Sequence, residues 1–114
     1  MHIETLKKLA TQALENLKAK DIVLLDVQAV SCVTDFLLIA SGTSTRQVAA
    51  LAQNLVTELK SAGFQPLGVE GMESAEWVLV DCGDLVVHLM LPQTRAFYDL
   101  EKLWGDFASL SHQA

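Results

Sequence analysis

An apolar run ending at Ala40 leads into Ser41-Gly42-Thr43-Ser44 and then into an amphipathic segment. A glycine-serine turn between a strand and a helix can present backbone N–H groups to a phosphate. Phosphoryl or nucleotidyl transfer would also need paired carboxylates on a neighbouring strand to hold its metal ions. No Asp-x-Asp or Asp-Glu pair follows on a strand, Asp81 and Asp84 are separated by a turn, and no Gly-Lys-Ser phosphate loop occurs. The plainer reading is that Gly42 frees the backbone while Ser44 caps a helix. Nucleophilic chemistry has even less to work with. No Gly-x-Ser-x-Gly elbow is present. Cys82 sits in a turn and His88 lies along the following strand, roughly 15–20 Å away at the rise of a strand. The two cysteines, Cys32 and Cys82, form neither a CxxC nor a zinc spacing, and read as free thiols in a reducing cytoplasm. No catalytic residue, metal or cofactor is therefore expected.

A recognition surface is better supported. Trp77–Asp81 and Asp84–Met90 flank Cys82-Gly83 as two strands of a tight hairpin. With Cys82-Gly83 as the loop, Asp81 faces Asp84, Leu79 faces Val86 and Trp77 faces His88. Alternation then gives one aliphatic face (Val78, Val80, Leu85, Val87, Leu89) and one mixed face (Trp77, Leu79, Asp81, Asp84, Val86, His88, Met90). Taken singly, Trp77 reads as a gap filler and His88 as a half-buried imidazole with one hydrogen bond. Side by side with Asp81 they make the composition of an interface hot spot. Arg95, Tyr98, Glu101 and Lys102 surround the apolar stripe of a last helix and read as a solvated helix face or as the rim of the same surface.

These residues need a frame. Ile3, Leu6, Leu9, Ala10, Ala13, Leu14 and Leu17 recur at helical spacing and predict a first helix ending near Lys20. Ile22–Val27 and Phe36–Ala40 predict strands. Ser44 and Gln47 form a capping box for a second helix carrying Val48, Leu51, Ala52, Leu55 and Leu59 on one face, and Gly63 is placed to end it. A short edge strand fits near Pro66–Val69. After Pro92, Phe97, Leu100 and Trp104 predict one short helix with an inward stripe. The order α-β-β-α-β-β-β-α implies an α+β fold, a mixed five-stranded sheet with helices mainly on one face.

The chain's 114 residues suffice for a single domain, 1–114, with one ordinary core. Hydrophobic residues make up 51% and aromatics only 6%, so that core should be aliphatic. No apolar run is long enough to span a bilayer, and the N-terminus lacks the pattern of a signal peptide. The net charge of −6 is unevenly placed. Residues 1–69 carry six acids and six bases; residues 70–114 carry eight acids against Arg95 and Lys102 alone. Such a surface repels phosphate backbones and suits a basic partner, or serves solubility alone.

Several motifs in register then carry a resemblance. Thr34-Asp35-Phe36, Ala40-Ser41-Gly42-Thr43-Ser44-x-Arg46-Gln47-Val48, Glu70-Gly71, Trp77-Val-Leu-Val-Asp81-x-Gly83-Asp84-Leu-Val-Val-His88 and Arg95-x-Phe97-Tyr98-Asp99-Leu100-Glu101-Lys102-Leu103-Trp104 resemble the ribosomal silencing factor, or Iojap-related, family. The resemblance implies a nucleotidyltransferase-like fold without catalytic carboxylates and a non-enzymatic, cytoplasmic factor. Such factors bind the large ribosomal subunit through the basic ribosomal protein numbered fourteen. There they block joining of the small subunit when nutrients are scarce, and a role in large-subunit assembly is the alternative, as is an enzyme using Gly42–Ser44. By position, Trp77, Asp81, His88, Arg95, Tyr98, Glu101 and Lys102 match the motifs associated with partner contact. Ribosomal RNA is expected at most at the rim, no membrane is involved, and homodimers occur in the family. Three features depart from the pattern: Cys82 at the hairpin tip, Met90 where Phe is frequent, and Pro92-Gln93-Thr94 without an acid.

Overall fold

The computed structural model describes residues 2–29, 31–32, 34–105 and 109–113, with side chains as far as Leu103. Helix α1, Ile3–Asn16, buries Leu6, Ala10, Ala13 and Leu14, the inward positions of its periodic stripe. It stops before the expected Lys20 because Lys18 turns left-handed (φ 60). The N–H of Lys18 then donates to Glu15 O and that of Ala19 to Leu14 O, which closes the helix. Strands β1, Lys20–Asp26, and β2, Phe36–Ser41, follow as an antiparallel pair. Every residue of β2 is buried: the apolar run Phe36–Ala40, as a central strand requires, and the polar Ser41 at its end.

Helix α2, Thr45–Ser61, is capped by Ser44, whose Oγ accepts from Gln47 N at 3.1 Å. Gln47 Oε1 reaches back one residue further than a standard capping box, to the N–H of Thr43 at 2.6 Å. Gly63 and Phe64 donate to Lys60 O and Leu59 O, the paired bonds of a Schellman ending. Beyond it come β3, Gly68–Glu70, β4, Trp77–Asp81, and β5, Leu85–Met90.

The strands form one mixed sheet in the order β3-β4-β5-β2-β1-β6. Its parallel pair is β2 with β5; the crossover through α2 places β3 at the far edge. A sixth strand, β6, Ser109–Gln113, adds to the five expected by pairing with β1. The single last helix is also corrected. Asp99 adopts a left-handed conformation (φ 48), and the segment divides into α3, Pro92–Tyr98, and α4, Leu100–Gly105.

The hairpin loop lies one position later than Cys82-Gly83. Asp81 faces Val86, Leu79 faces His88 and Trp77 faces Met90, so the loop is Gly83-Asp84. A two-residue hairpin loop needs positive φ at its first central position, and Gly83 (φ 82) supplies it where Cys82 would be strained. Each residue's partner moves by two, so both faces keep their membership. Asp84 alone leaves the mixed face, for the turn.

Helices α1 and α2 cover the aliphatic face, where Leu14, Leu38, Leu51, Leu55, Val78, Val80, Leu85 and Leu89 form the main core. Gln47 Nε2 and Asn54 Nδ2 donate to Leu17 O and Ala13 O and lock the two helices together. The opposite face holds a smaller cluster of Val23, Leu25, Val27, Leu37, Ile39 and Met90, flanked by Trp77, Val86 and Leu100.

Candidate partner-binding face

Trp77 opens β4, and a tight loop fixes its backbone. Gly71 (φ 90) lies so close to Trp77 O that a Cβ there would overlap it. Only glycine fits both the conformation and the space, which accounts for Glu70-Gly71 six residues ahead of the tryptophan. From this position Trp77 Nε1 donates to His88 Nδ1 at 3.0 Å. His88 is buried, and burial pushes its pKa down to about 4. It is therefore neutral at pH 7, with Nδ1 as the acceptor and the proton on Nε2. The imidazole serves Trp77 as an orienting acceptor from beneath.

Tyr98, at the end of α3, leans on the outer side of the same indole, with ring centroids 4.8 Å apart. Phe97 meets Tyr98 edge to face at 5.0 Å. Phe97 is 81% exposed, Tyr98 53% and Leu103 62%. The periodicity that assigned Phe97 to an inward stripe fails because the chain bends at Asp99. Leu100 alone of that stripe packs inward among the described side chains, and the side chain of Trp104 lies outside them. Phe97 and Leu103 were thus missed as surface residues. The available signal was Asp99 itself, since Asp is among the few residues that tolerate a left-handed turn and can cap the next helix. Asp99 Oδ1 indeed accepts from Lys102 N at 3.3 Å.

Arg95 holds this joint. Its Nε and Nη2 donate to the two carboxylate oxygens of Glu101, at 2.7 and 3.1 Å, and Nη1 donates to Ser41 Oγ at 2.9 Å. One buried guanidinium thus ties α3 to α4 and both to the end of β2. Asp81 is turned to its own loop, accepting from Gly83 N at 2.9 Å. Of the seven positions singled out in the sequence, Trp77, Tyr98 and Lys102 keep surface to offer. His88, Arg95 and Glu101 are engaged in bracing this face, and Asp81, half-buried like Trp77, is engaged with its own hairpin loop. Met90 is fully buried and belongs to the core beneath, not to the surface. A shallow groove of about 370 Å³ runs between Trp77, Phe97, Tyr98, Gln93, Thr94 and the exposed Glu76.

The turn at Gly42–Ser44 is occupied from within. Thr43 N and Gln47 N, the donors it would present to a phosphate, are taken by Gln47 Oε1 and Ser44 Oγ. Among the described residues, no three His, Cys, Asp or Glu side chains converge as a metal site would require. Cys82 is buried against the α1–α2 core, on the other side of the sheet from His88, and burial raises its thiol to about 11. Among the described residues no helix is long and apolar enough to cross a membrane.

The chain as a whole matches known proteins. A family model described as ribosomal silencing factor during starvation matches residues 1–114. The ribosomal silencing factor RsfS of Chromobacterium violaceum is 50% identical over 105 residues, covering 92% of this chain and 86% of that protein. A crystal structure of a Chromobacterium violaceum protein superposes with a TM-score of 0.90 at 50% identity, covering 92% of this chain and 88% of that one. The mouse mitochondrial assembly of ribosomal large subunit protein 1 is 43% identical over 89 residues, 75% of this chain but 39% of that protein. The chain belongs to the ribosomal silencing factor family.

Proposed function

We propose that this chain is a cytoplasmic, non-enzymatic factor that binds the large ribosomal subunit and bars the small subunit from joining it, chiefly under starvation. Its docking partner is the basic ribosomal protein numbered fourteen. The observation that carries this reading is the aromatic ridge in which exposed Phe97 and Tyr98 stack on the half-buried Trp77, with Leu103 also exposed on the following helix. Large aromatic groups left at the surface and braced from below are the makings of a binding anchor. The charge agrees in sign: Glu76 borders the ridge, and the segment from residue 61 to residue 94 contains no Lys or Arg. A basic protein is drawn to such a surface and ribosomal RNA is repelled from all but its rim. Trp77, Tyr98 and Lys102 make the contacts, His88, Arg95 and Glu101 hold them in place, and Asp81, at the hairpin end, adds acidic charge at the rim. Self-association of the free chain into a homodimer would cover the same ridge.

The test is co-sedimentation with large subunits followed by a subunit-joining assay. Trp77→Ala should weaken binding by about 2–4 kcal/mol and restore joining. Unchanged co-sedimentation would remove Trp77 from the interface. A second reading, a factor for large-subunit assembly, draws on the name of the mouse relative. It predicts that loss of the protein leaves immature large subunits even in rich medium, where silencing alone predicts none.

A further inference from the structure

The aromatic ridge is not the sole unpartnered apolar feature. Strand β3 lies at the edge of the sheet and pairs with β4 alone. Leu67, just before it, is 73% exposed, and Val69 within it is also exposed. Between β3 and α2 runs a groove of about 360 Å³ lined by Ala52, Gln53, Val56, Thr57, Val69 and Met72. Edge strands are usually blunted by a lysine, a proline within the strand, or a bulge. Gly68-Val69-Glu70 is short and ends on a charge, but it has no lysine, no internal proline and no bulge; Pro66 precedes it.

We infer that the β3 edge is a second docking surface, which takes an extended basic segment of a partner protein by strand addition. The edge supplies unpaired backbone groups, and the groove accepts an apolar side chain from alternate positions of the added strand. Charge selects the occupant. Glu70 and Glu73 are exposed and line a neighbouring hollow that shares Val69 and Met72 with the groove, and no Lys or Arg occurs between Lys60 and Arg95. A second copy of the chain would set Glu70 against another uncompensated acidic edge, and a nucleic acid would meet the wrong sign. A segment alternating apolar with Lys or Arg satisfies both the groove and the carboxylates. This surface stands apart from the ridge and does not depend on the reading given above for it.

The test uses the full chain and amide NMR, with a short capped peptide of alternating valine and lysine as the probe. A glycine–lysine peptide of equal charge is the control. The valine–lysine peptide should shift the amides of Val69 and Glu70 and the side-chain signals of Val56 and Met72. Glu70→Lys, at an exposed position that the fold does not need, should weaken that binding by about tenfold. Equal binding of the glycine–lysine peptide would overturn the inference by reducing it to bulk charge. Shifts confined to α3–α4 or to β6, or no shifts at millimolar peptide, would overturn it as well.

Discussion

On the side of α1 and α2, β4 and β5 bury Val78, Val80, Leu85, Val87 and Leu89 and nothing polar. On the other side the same two strands carry Trp77, Leu79, Asp81, Val86, His88 and Met90 beneath two short helices. The aliphatic side is closed by long helices joined through side-chain bonds to backbone carbonyls. The mixed side is closed by specific polar contacts, Trp77 to His88 and Arg95 to Glu101 and Ser41. Nonspecific area burial stabilises the first face, and directional bonds shape the second. The comparison teaches that the second face holds a surface in a set position more than it holds the protein together.

The contrast can be broken from either side. The largest effect should come from Leu55→Ala under α2, which empties a fully buried site and should cost about 4 kcal/mol in urea denaturation. An equally small loss there and at the partly exposed Val86 would erase the distinction.

Next comes pH. His88 in the folded chain titrates near 4, against 6.5 when unfolded. Between these values the unfolded chain binds a proton that the folded chain refuses. Stability tied to His88 is therefore complete above about pH 6.5 and lost as pH falls toward 4, on the order of 3 kcal/mol. His88→Gln should flatten that part of the stability–pH curve, measured by denaturation at several pH values. An unchanged slope would place the acid sensitivity elsewhere.

Arg95→Ala should have the smallest effect on folding. It should cost about 1–2 kcal/mol, because Glu101 is partly exposed and regains water. Its mark should instead be on the ridge: altered Trp77 fluorescence and weaker binding to large subunits than the stability loss explains. If binding survives intact while the Glu101 and Ser41 contacts are gone, the guanidinium is not a positioning group.

Much of this was open to reading from the chain. Helical spacing marked the residues that α1 and α2 bury, Ser44 and Gly63 marked the ends of α2, and alternation assigned the faces of β4 and β5. The hairpin loop was misplaced, yet the cue was present, since Gly83 rather than Cys82 belongs at the first loop position. Trp77 and His88 came together despite that slip because a two-residue shift preserves the face. The reversal of Phe97 and the burial of Arg95 were less accessible. Both depend on where a short helix lands, and seven or six residues of helix carry too few periods to define an inward side.

By itself, then, the amino-acid order determined the elements, their faces and the uneven charge, because these follow from local periodicity and from residue type. Tertiary structure alone decided which polar side chains became internal braces and which aromatics stayed outside. The decisive contact, Arg95 to Ser41, joins residues 54 positions apart. No local pattern encodes such a contact; it exists only once β2, α3 and α4 are packed against one another.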